Sequence, residues 1–412
     1  MTMHTRRTAL AGLVAGGTLL MGGFGRASFA AAAPAGTGAN KTGEARLVFI
    51  ILRGGMDGLS AVPPYGDPDF AGARQALALA RPGAAGGALD LDGFFGLNPR
   101  LGALHTLYGA KEALVVQAVC SPYRARSHFD GQNVLECGAP VPFGLDSGWL
   151  NRALEARSGM AAPGTVAPRG VALSSAVPLA MRGSVPVTSW VPSYLAAPQP
   201  ELISRVAALY AQDPPLANAF AEAQAANGVM AGSGGEAGVG EFMRAAGTFL
   251  SRPDGPRVAM LESTGWDSHA TQAQPLGALY RNLAALDAGI GELRKVLGSV
   301  WRQTVVIIAT EFGRTVAMNG TLGTDHGTGG VAFLVGGAVA GGRVLADWPG
   351  LSVANRFDGR DLKTTTDLRA VLKGVLHDHL AVADGHLEGR VFPDSGAAQR
   401  VEGLIRAPGA DG

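Results

Sequence analysis

TVVIIATEFGRTVAMNGTLGTDHGTGG, from Thr304 to Gly330, joins a short apolar run to a loop rich in charged residues and glycine. The run TVVIIA is apolar at successive positions, which is typical of a strand covered on both faces in a parallel sheet. The loop that follows carries four charged or metal-binding side chains, Glu311, Arg314, Asp325 and His326. Such a loop either caps a strand or belongs to an active site. The side chains that follow the other strands distinguish between these two interpretations.

Four further apolar runs of the same kind occur along the chain: ARLVFIIL ending at Leu52, ALVVQAV ending at Val119, RVAMLE ending at Glu262, and VAFLV over 331–335. Helical patterns separate them. In RNLAALDAGIGELRKVLGSV the apolar side chains recur every three or four positions, at Leu283, Leu286, Ile290, Leu293 and Val296. Alternating strands and helices predict an α/β fold with a doubly wound, mostly parallel central sheet and helices on both faces. A last helix is expected over TTDLRAVLKGVLHDHL, capped by its threonines.

Length and charge limit the classes of function. The chain has 412 residues, a formal net charge of +1 and 16% charged residues, so it lacks the basic surface of a nucleic-acid binder. We expect a single domain over residues 45–408, with a helical insert at about 198–255 that forms either a lid or an outer layer.

The first thirty residues have the three parts of an export signal. Arg6 and Arg7 precede an apolar run from Ala9 to about Phe24, and small residues follow up to Ala30. This pattern predicts a twin-arginine-type signal peptide over 1–33 and a linker over 34–44. The alternative, a membrane anchor, is disfavoured because glycines interrupt the run and it is shorter than the ~20 residues of a spanning helix. The mature chain should therefore be soluble and periplasmic or extracellular, with the twin-arginine export machinery as a transient partner.

Ligand-type side chains follow each of four strands. The set comprises Arg53 and Asp57 after the first run, Cys120, Arg124, Arg126, Ser127, His128 and Asp130 after the second, Asp267 and His269 after the third, and Glu311, Arg314, Asp325 and His326 after the fourth. Ligands of open α/β sheets bind beyond the carboxyl ends of the strands, where these residues would meet. A mixed set of carboxylates and imidazoles suits one or two divalent ions, zinc or manganese above all.

Ser127 is the candidate nucleophile because it precedes a predicted helix, whose N-terminus favours negative charge. The alternative is a helix cap, with Asp130 completing a capping box. Arg126, like Arg124, is a candidate for holding an anionic substrate group, or else a surface arginine or a partner of nearby carboxylates. The role of His128 stays open between a metal ligand, a general acid and a packed side chain.

Cys120 belongs to a second motif in the same loop. Cys120-Ser121-Pro122-Tyr123-Arg124 matches C-x-P-x-R, which resembles the sulfatase signature whose cysteine becomes formylglycine, although the later part of that signature is missing. Cys120 could equally be a small buried side chain. Whether Cys120 and Cys137 pair is left undecided.

Taken together, RGGMDGL, RSHFDGQ, GWDSHATQ and TEFGRT…GTDHG resemble the exported bacterial proteins grouped as domain of unknown function 1501. That family is placed in the alkaline phosphatase and sulfatase superfamily of α/β metalloenzymes. The resemblance implies roles for six residues: a first-strand metal carboxylate, a nucleophile, two ligands of one metal, a late-strand carboxylate and a final histidine ligand, at Asp57, Ser127, Asp267, His269, Glu311 and His326. Where the superfamily commonly has an Asp-His pair, this chain has Glu311-Phe312.

The leading hypothesis is an exported metallohydrolase of small phosphate or sulfate esters. Its metal ligands would be Asp57, Asp267, His269, Glu311 and His326, with Asp325 as a further ligand or as a group that orients His326. Ser127 would attack, and Arg126 or Arg53 would hold the anion. Three alternatives remain: a non-catalytic binding or surface-assembly protein, motivated by Phe312; a formylglycine sulfatase; and a metal-free serine hydrolase, for which the motif G-x-S-x-G is absent around Ser127.

Overall fold

The computed structural model describes residues 45–158, 170–192, 199–214, 216–217, 220, 224, 238–272 and 277–407. The predicted signal peptide and linker lie outside these ranges. In the described part of the chain, no helix combines the length and the apolar character that spanning a membrane requires.

Nine strands form one large sheet in the described part of the chain, and two short strands form a hairpin. The strands are β1 Arg46–Leu52, β2 Leu89–Asp90, β3 Gly96–Leu97, β4 Ala113–Cys120, β5 Gly170–Leu173, β6 Val187–Ser189, β7 Val258–Ser263, β8 Thr304–Ala309, β9 Gly330–Val335, β10 Arg343–Leu345 and β11 Thr366–Asp367. The order across the large sheet is β10-β4-β9-β8-β1-β7-β5-β6, with β11 beside β4, while β2 and β3 pair with each other.

The large sheet is mostly parallel, as predicted. Every pairing within it is parallel except those of β9, which runs antiparallel to both β8 and β4. The run VAFLV is therefore a strand, but it returns along β8 as the second arm of a long hairpin. Consequently the loop after β8 begins and ends at the same edge of the sheet, which is also the edge where β1, β4 and β7 end.

Helices cover both faces of the sheet. Their bounds are α1 Gly58–Ala61, α2 Phe70–Arg74, α3 Gly102–Gly109, α4 His128–Cys137, α5 Trp149–Ser158, α6 Pro200–Tyr210, α7 Val239–Ser251, α8 Ala278–Leu297, α9 Leu368–Leu380 and α10 Asp384–His386. Short 3₁₀ turns span Gln75–Leu77, Leu179–Met181, Gly298–Gln303 and Val353–Asn355, and a π-helical turn spans Leu387–Val391.

The central strand β1 shows why its sequence is apolar at every position. Val48, Ile50 and Leu52 contribute to the core on the face of α7 and α8, whereas Leu47, Phe49 and Ile51 contribute to the core on the face of α5 and α9. Successive side chains of a strand point to opposite faces, so burial on both faces requires an uninterrupted apolar run.

Three helices can be compared with the sequence-based expectations. The apolar stripe predicted for α8 is buried at Leu283, Leu286, Ile290 and Leu293. The helix α7, which falls in the predicted insert, packs its own buried residues into the same core. The last helix, α9, is capped by Asp367 and not by the threonines, because the Asp367 carboxylate accepts a hydrogen bond from the backbone N–H of Arg369.

Candidate metal centre

Three histidines and one aspartate meet at the carboxyl edge of the sheet. His128 begins α4 after the β4 loop, Asp267 and His269 follow β7, and His326 lies in the loop between β8 and β9. The donor atoms of His128, Asp267 and His326 lie within 4.8 Å of one another. His326 Nε2 is 3.0 Å from His128 Nε2 and 3.1 Å from His269 Nε2.

Asp267 joins this cluster through both of its carboxylate oxygens. Oδ1 lies 2.9 Å from His269 Nε2 and 3.2 Å from His326 Nε2, and Oδ2 lies 3.4 Å from His128 Nε2. The Asp267 side chain is 40% exposed, so the cluster opens to solvent.

The other ring nitrogen of each histidine is held by an oxygen. His128 Nδ1 lies 2.7 Å from Glu311 Oε1, His269 Nδ1 lies 3.3 Å from Asp325 Oδ1, and His326 Nδ1 lies 3.0 Å from the carbonyl oxygen of Arg126. Carbonyl and ionised carboxylate oxygens only accept hydrogen bonds, so each Nδ1 carries the proton. In the neutral rings, the Nε2 atoms that meet around Asp267 then expose lone pairs.

Lone pairs and a carboxylate that face one another at about 3 Å repel unless a cation lies among them. Metal-binding histidines show this arrangement, in which a carboxylate or carbonyl holds the far nitrogen and fixes the tautomer. Three imidazoles with one carboxylate form a donor set that suits zinc. The residues present therefore fit a divalent metal ion.

The pKa shifts of the cluster differ from one side chain to the next. Burial, together with the charges of His128 and Arg314, lowers the pKa of His326 and favours the neutral ring that binds metals. The hydrogen bond to Glu311 raises the pKa of His128, more than burial lowers it. Although burial opposes its ionisation, Asp267 has a lowered pKa because Arg314 donates to it and carries a positive charge.

Two buried side chains hold the cluster from behind. Glu311 accepts hydrogen bonds from the backbone N–H of Gly54 at 2.8 Å and from Gln132 Nε2 at 3.0 Å, in addition to His128. Arg314 donates to Asp267 Oδ1 at 2.5 Å. Sequence analysis proposed Glu311 as a direct ligand, whereas in the structure its carboxylate contacts the far nitrogen of His128.

Phe312 fills the place where a superfamily histidine was expected. Its ring is fully buried and lies 4.8 Å from the ring of His128 and 5.4 Å from that of His326, measured between centroids. Phe312 thus forms an apolar wall that restricts both imidazoles.

Ser127 occupies the N-cap of α4, and its side chain makes no capping hydrogen bond. The alternative capping box is not formed, because the Asp130 carboxylate instead accepts from the hydroxyl of Tyr123 at 3.2 Å. The preceding Arg126 has a left-handed backbone, with φ of 64°. Its side chain binds Asp361 at 2.7 Å and Asp358 at 2.9 Å, which leaves its carbonyl turned towards His326.

Asp57 and Arg53 are engaged in contacts other than those of the cluster. Asp57 is buried, caps α1 and forms an ion pair with the buried Arg74, with further hydrogen bonds from Ser60 and Gln272. Although burial opposes its ionisation, the charge of Arg74 holds the pKa of Asp57 below its usual range. Arg53 forms salt bridges with Glu136, at 2.8 Å, and with Glu262.

Both cysteines are free and buried. Cys120 is 3% exposed and lies among Tyr123, Val134 and Phe312, where burial raises the pKa of its thiol to about 11. Its thiol faces the carbonyl of Glu311 at 3.6 Å.

Sequence reasoning left the role of His128 open, placed Arg314 at the strand end without giving it a role, and did not anticipate Gln132 or Arg74. The signal for His128 was present in its position, directly after a strand end and beside Ser127. Gln132 and Arg74 offered no local signal, because each acts through a residue that is distant in the chain.

Several solved structures resemble this chain weakly. The C-terminal periplasmic domain of EcEptC from Escherichia coli, in complex with zinc, shares 10% identity over 74% of this chain and 77% of that chain, with a TM-score of 0.36. The phosphonate monoester hydrolase of Agrobacterium radiobacter shares 13% identity over 82% and 74%, with a TM-score of 0.38. The lipoteichoic acid synthase LtaP of Listeria monocytogenes shares 10% identity over 85% and 76%, with a TM-score of 0.34. Because these scores are low, the function of the site has to be inferred from its own residues.

Comparison by sequence gives a more definite result for the family. No curated protein matches the chain. A family model described as protein of unknown function (DUF1501) matches residues 121–405, a range that contains the three histidines and Asp267. With more than half of its length matched in this way, the chain belongs to the DUF1501 family.

Proposed function

We propose that this chain is an exported, metal-dependent hydrolase of phosphate or sulfate esters. One observation carries the proposal: His326 Nε2 lies about 3 Å from the Nε2 atoms of two other histidines, next to the Asp267 carboxylate. The far nitrogen of each ring is occupied by an acceptor, so these donors are oriented before any ion binds.

The ion would be held by His128, Asp267 and His326, with His269 as a fourth donor. Of the metals that the sequence suggested, zinc suits this nitrogen-rich set better than manganese. One ion is sufficient, because Asp57, the carboxylate that a second ion would need, already has its charge balanced by Arg74. Asp325 and Glu311 orient the histidines.

A divalent ion bound there would act as a Lewis acid, stabilising negative charge on the ester oxygens and promoting ionisation of a nearby hydroxyl. The chain itself supplies Ser127, which precedes the ligand His128 and has no capping bond to occupy its hydroxyl. In this mechanism Ser127 Oγ gives its proton to the solvent that the open site admits and bonds to phosphorus or sulfur. The bond to the alcohol oxygen breaks, and the leaving alcohol takes a proton from the same solvent. Water then attacks the phosphorus or sulfur, the bond to Ser127 Oγ breaks, and the serine regains a proton from that water.

The N-terminus of α4 favours this attack. The helix spans ten residues, and its first-turn N–H groups and dipole stabilise the anionic group that develops beside Ser127. Arg126 acts chiefly as a positioning residue, because its guanidinium is paired with Asp358 and Asp361 while its carbonyl orients His326.

A second candidate is a non-catalytic binding or surface-assembly protein that holds a metal ion without turnover. It is favoured by the engagement of both predicted anion-holding arginines with carboxylates, Arg53 with Glu136 and Glu262, and Arg126 with Asp358 and Asp361. The formylglycine alternative gains no support, since Cys120 is buried among apolar side chains. Peptide mass spectrometry over Cys120 tests it, because an unmodified thiol excludes formylglycine.

The test combines metal analysis with hydrolysis. Protein purified after export from its native host should contain about one divalent ion per chain and should hydrolyse p-nitrophenyl phosphate or p-nitrophenyl sulfate. Ser127→Ala should abolish turnover and keep the metal, whereas Ser251→Ala, at the end of α7, should change neither. Protein without stoichiometric metal would exclude the proposal. Metal without turnover would favour the binding protein.

A further inference from the structure

A cavity of about 430 Å³ opens beside the metal centre. Its wall is formed by the segment from Asp347 to Thr365 and includes Arg356, Phe357, Asp358 and Lys363. Neither sequence motif nor family resemblance assigns a role to this segment.

The cavity is joined to the metal centre by direct contacts. Asp358, in the cavity wall, binds the side chain of Arg126 at 2.9 Å, and the carbonyl of the same Arg126 holds His326 Nδ1 at 3.0 Å. From the same loop, Arg360 Nη2 donates to the carbonyl oxygen of His326 at 2.9 Å. The side chain of Arg126 therefore connects the wall of the cavity to the cluster.

Some charged side chains of the cavity have an ion-pair partner, and others have none among the described residues. Asp358 is balanced by Arg126, which also lies 5.7 Å from the ring centroid of Phe357. Within the described residues Arg356 and Lys363 form no ion pair, and Arg356 donates only its Nε, to the carbonyl of Leu351 at 2.9 Å. The lining therefore carries two carboxylates, Asp347 and Asp358, and two cations, Arg356 and Lys363, and Arg126 engages only Asp358 among them. Two cationic side chains in a concave surface can bind one phosphate or sulfate group, the arginine through paired N–H donors.

We propose that the substrate is an ester whose alcohol part carries a second anionic group, and that Arg356 and Lys363 bind this group while the scissile ester lies at the metal centre. The inference rests on the proposed function for the position of the scissile ester. Binding of the second anionic group by Arg356 and Lys363 does not require turnover, so this binding and the proposed function can fail separately.

Non-hydrolysable probes test the binding. Isothermal titration calorimetry on the metal-loaded full chain would compare alkane bisphosphonates of increasing length with alkylphosphonates of the same length. Disulfonates and sulfonates form a parallel series that distinguishes phosphate from sulfate. A bisphosphonate or disulfonate of one preferred length should bind roughly tenfold more tightly than the alkyl probe with one anionic group, because its second group gains charge-assisted contacts. The preference should weaken as salt is added.

The double variant Arg356→Gln/Lys363→Gln should lose the preference for two anionic groups and keep its affinity for the probe with one anionic group. The control Lys295→Gln/Arg302→Gln removes the same charge near the amino end of β8, at the opposite edge of the sheet, and should keep the preference. Equal affinities for the two kinds of probe in the wild-type chain, or a preference that survives in the double variant, would overturn the proposal. A charge-dependent preference in a chain that hydrolyses nothing would support the cavity site while removing the proposed function.

Discussion

Replacing Glu311 with glutamine removes one negative charge from behind His128 and keeps the shape of the side chain. Oε1 of the glutamine can still accept from Gly54 and Gln132, as the carboxylate does. The Thr310 hydroxyl donates either to Glu311 Oε2, at 2.9 Å, or to the carbonyl of Leu52, at 2.7 Å; in the variant it can keep the bond to Leu52 and accept from the new amide group. Glu311→Gln should therefore fold, and its effect should be confined to the charge.

The expected loss follows from the contact with His128. The bond at 2.7 Å from His128 Nδ1 to a carboxylate becomes a bond to a neutral amide, which makes Nε2 a weaker donor to a cation. Removing partners of this kind typically lowers metal affinity by about 10- to 100-fold, or about 1.4 to 2.8 kcal/mol. The metal content under mild chelation should fall accordingly.

The assay is competition for zinc with a chromophoric chelator, run on the wild type, Glu311→Gln and Glu241→Gln. Glu241 is a matched control because it is also a buried glutamate, on α7, and among the described residues neither of its carboxylate oxygens has a hydrogen-bond partner. Since these oxygens orient none of the described histidines, replacing Glu241 should leave zinc affinity unchanged.

Zinc affinity equal in the wild type and Glu311→Gln would refute the role of Glu311 in orienting His128. An equal loss in Glu241→Gln would show that any buried negative charge suffices, and that the contact at His128 is irrelevant. Circular dichroism on all three proteins would check that the variants are folded.

Three further predictions concern the framework of the site. Arg74→Met leaves a buried carboxylate without its guanidinium and should lower the free energy of unfolding by about 3 to 5 kcal/mol in urea titrations; a loss below about 1 kcal/mol would contradict the buried ion pair. Burial lowers the pKa of His379 to about 4, below the value near 6.5 of an unfolded histidine, so stability should fall by up to about 3 kcal/mol as the pH drops from 6.5 to 4. His379→Gln should have a shallower loss of Tm over that window, and an unchanged slope would exclude His379 as the source. Gly313→Ala would place a Cβ 1.8 Å from the carbonyl oxygen of Gly329, so its Tm and metal content should fall, whereas Gly320→Ala meets nothing within 4 Å and should resemble the wild type.

Three glycines of the loop between β8 and β9 lie where the backbone is crowded. In the structure Gly313, Gly327 and Gly329 are not among the glycines with positive φ, and added Cβ atoms there would collide with neighbouring backbone. These glycines are needed because two segments of the hairpin approach each other closely.

Strands and helices were predictable because their signals are local. The run TVVIIA is apolar throughout, since β8 is covered on both faces, and the spacing of Leu283, Leu286 and Ile290 marks the buried side of α8. The direction of β9 was not predictable from VAFLV, because a strand buried on both faces has the same composition in either direction.

The positions of the candidate site residues could likewise be predicted from local sequence, because these residues follow the ends of strands. The partners of their side chains could not be predicted in this way. His128 is 183 residues from Glu311 and 198 from His326, and no spacing in the sequence reveals which ring nitrogen faces which oxygen.

The sequence alone was sufficient to predict an α/β sheet with acidic and imidazole side chains along one edge. Tertiary structure decided their roles: it paired Asp57 with Arg74, set Glu311 behind His128, and turned the Nε2 atoms of the histidines towards Asp267. The division has a physical reason. Burial patterns repeat within a few residues, whereas hydrogen bonds and ion pairs between loops depend on which strands lie side by side, and only the folded sheet brings those loops together.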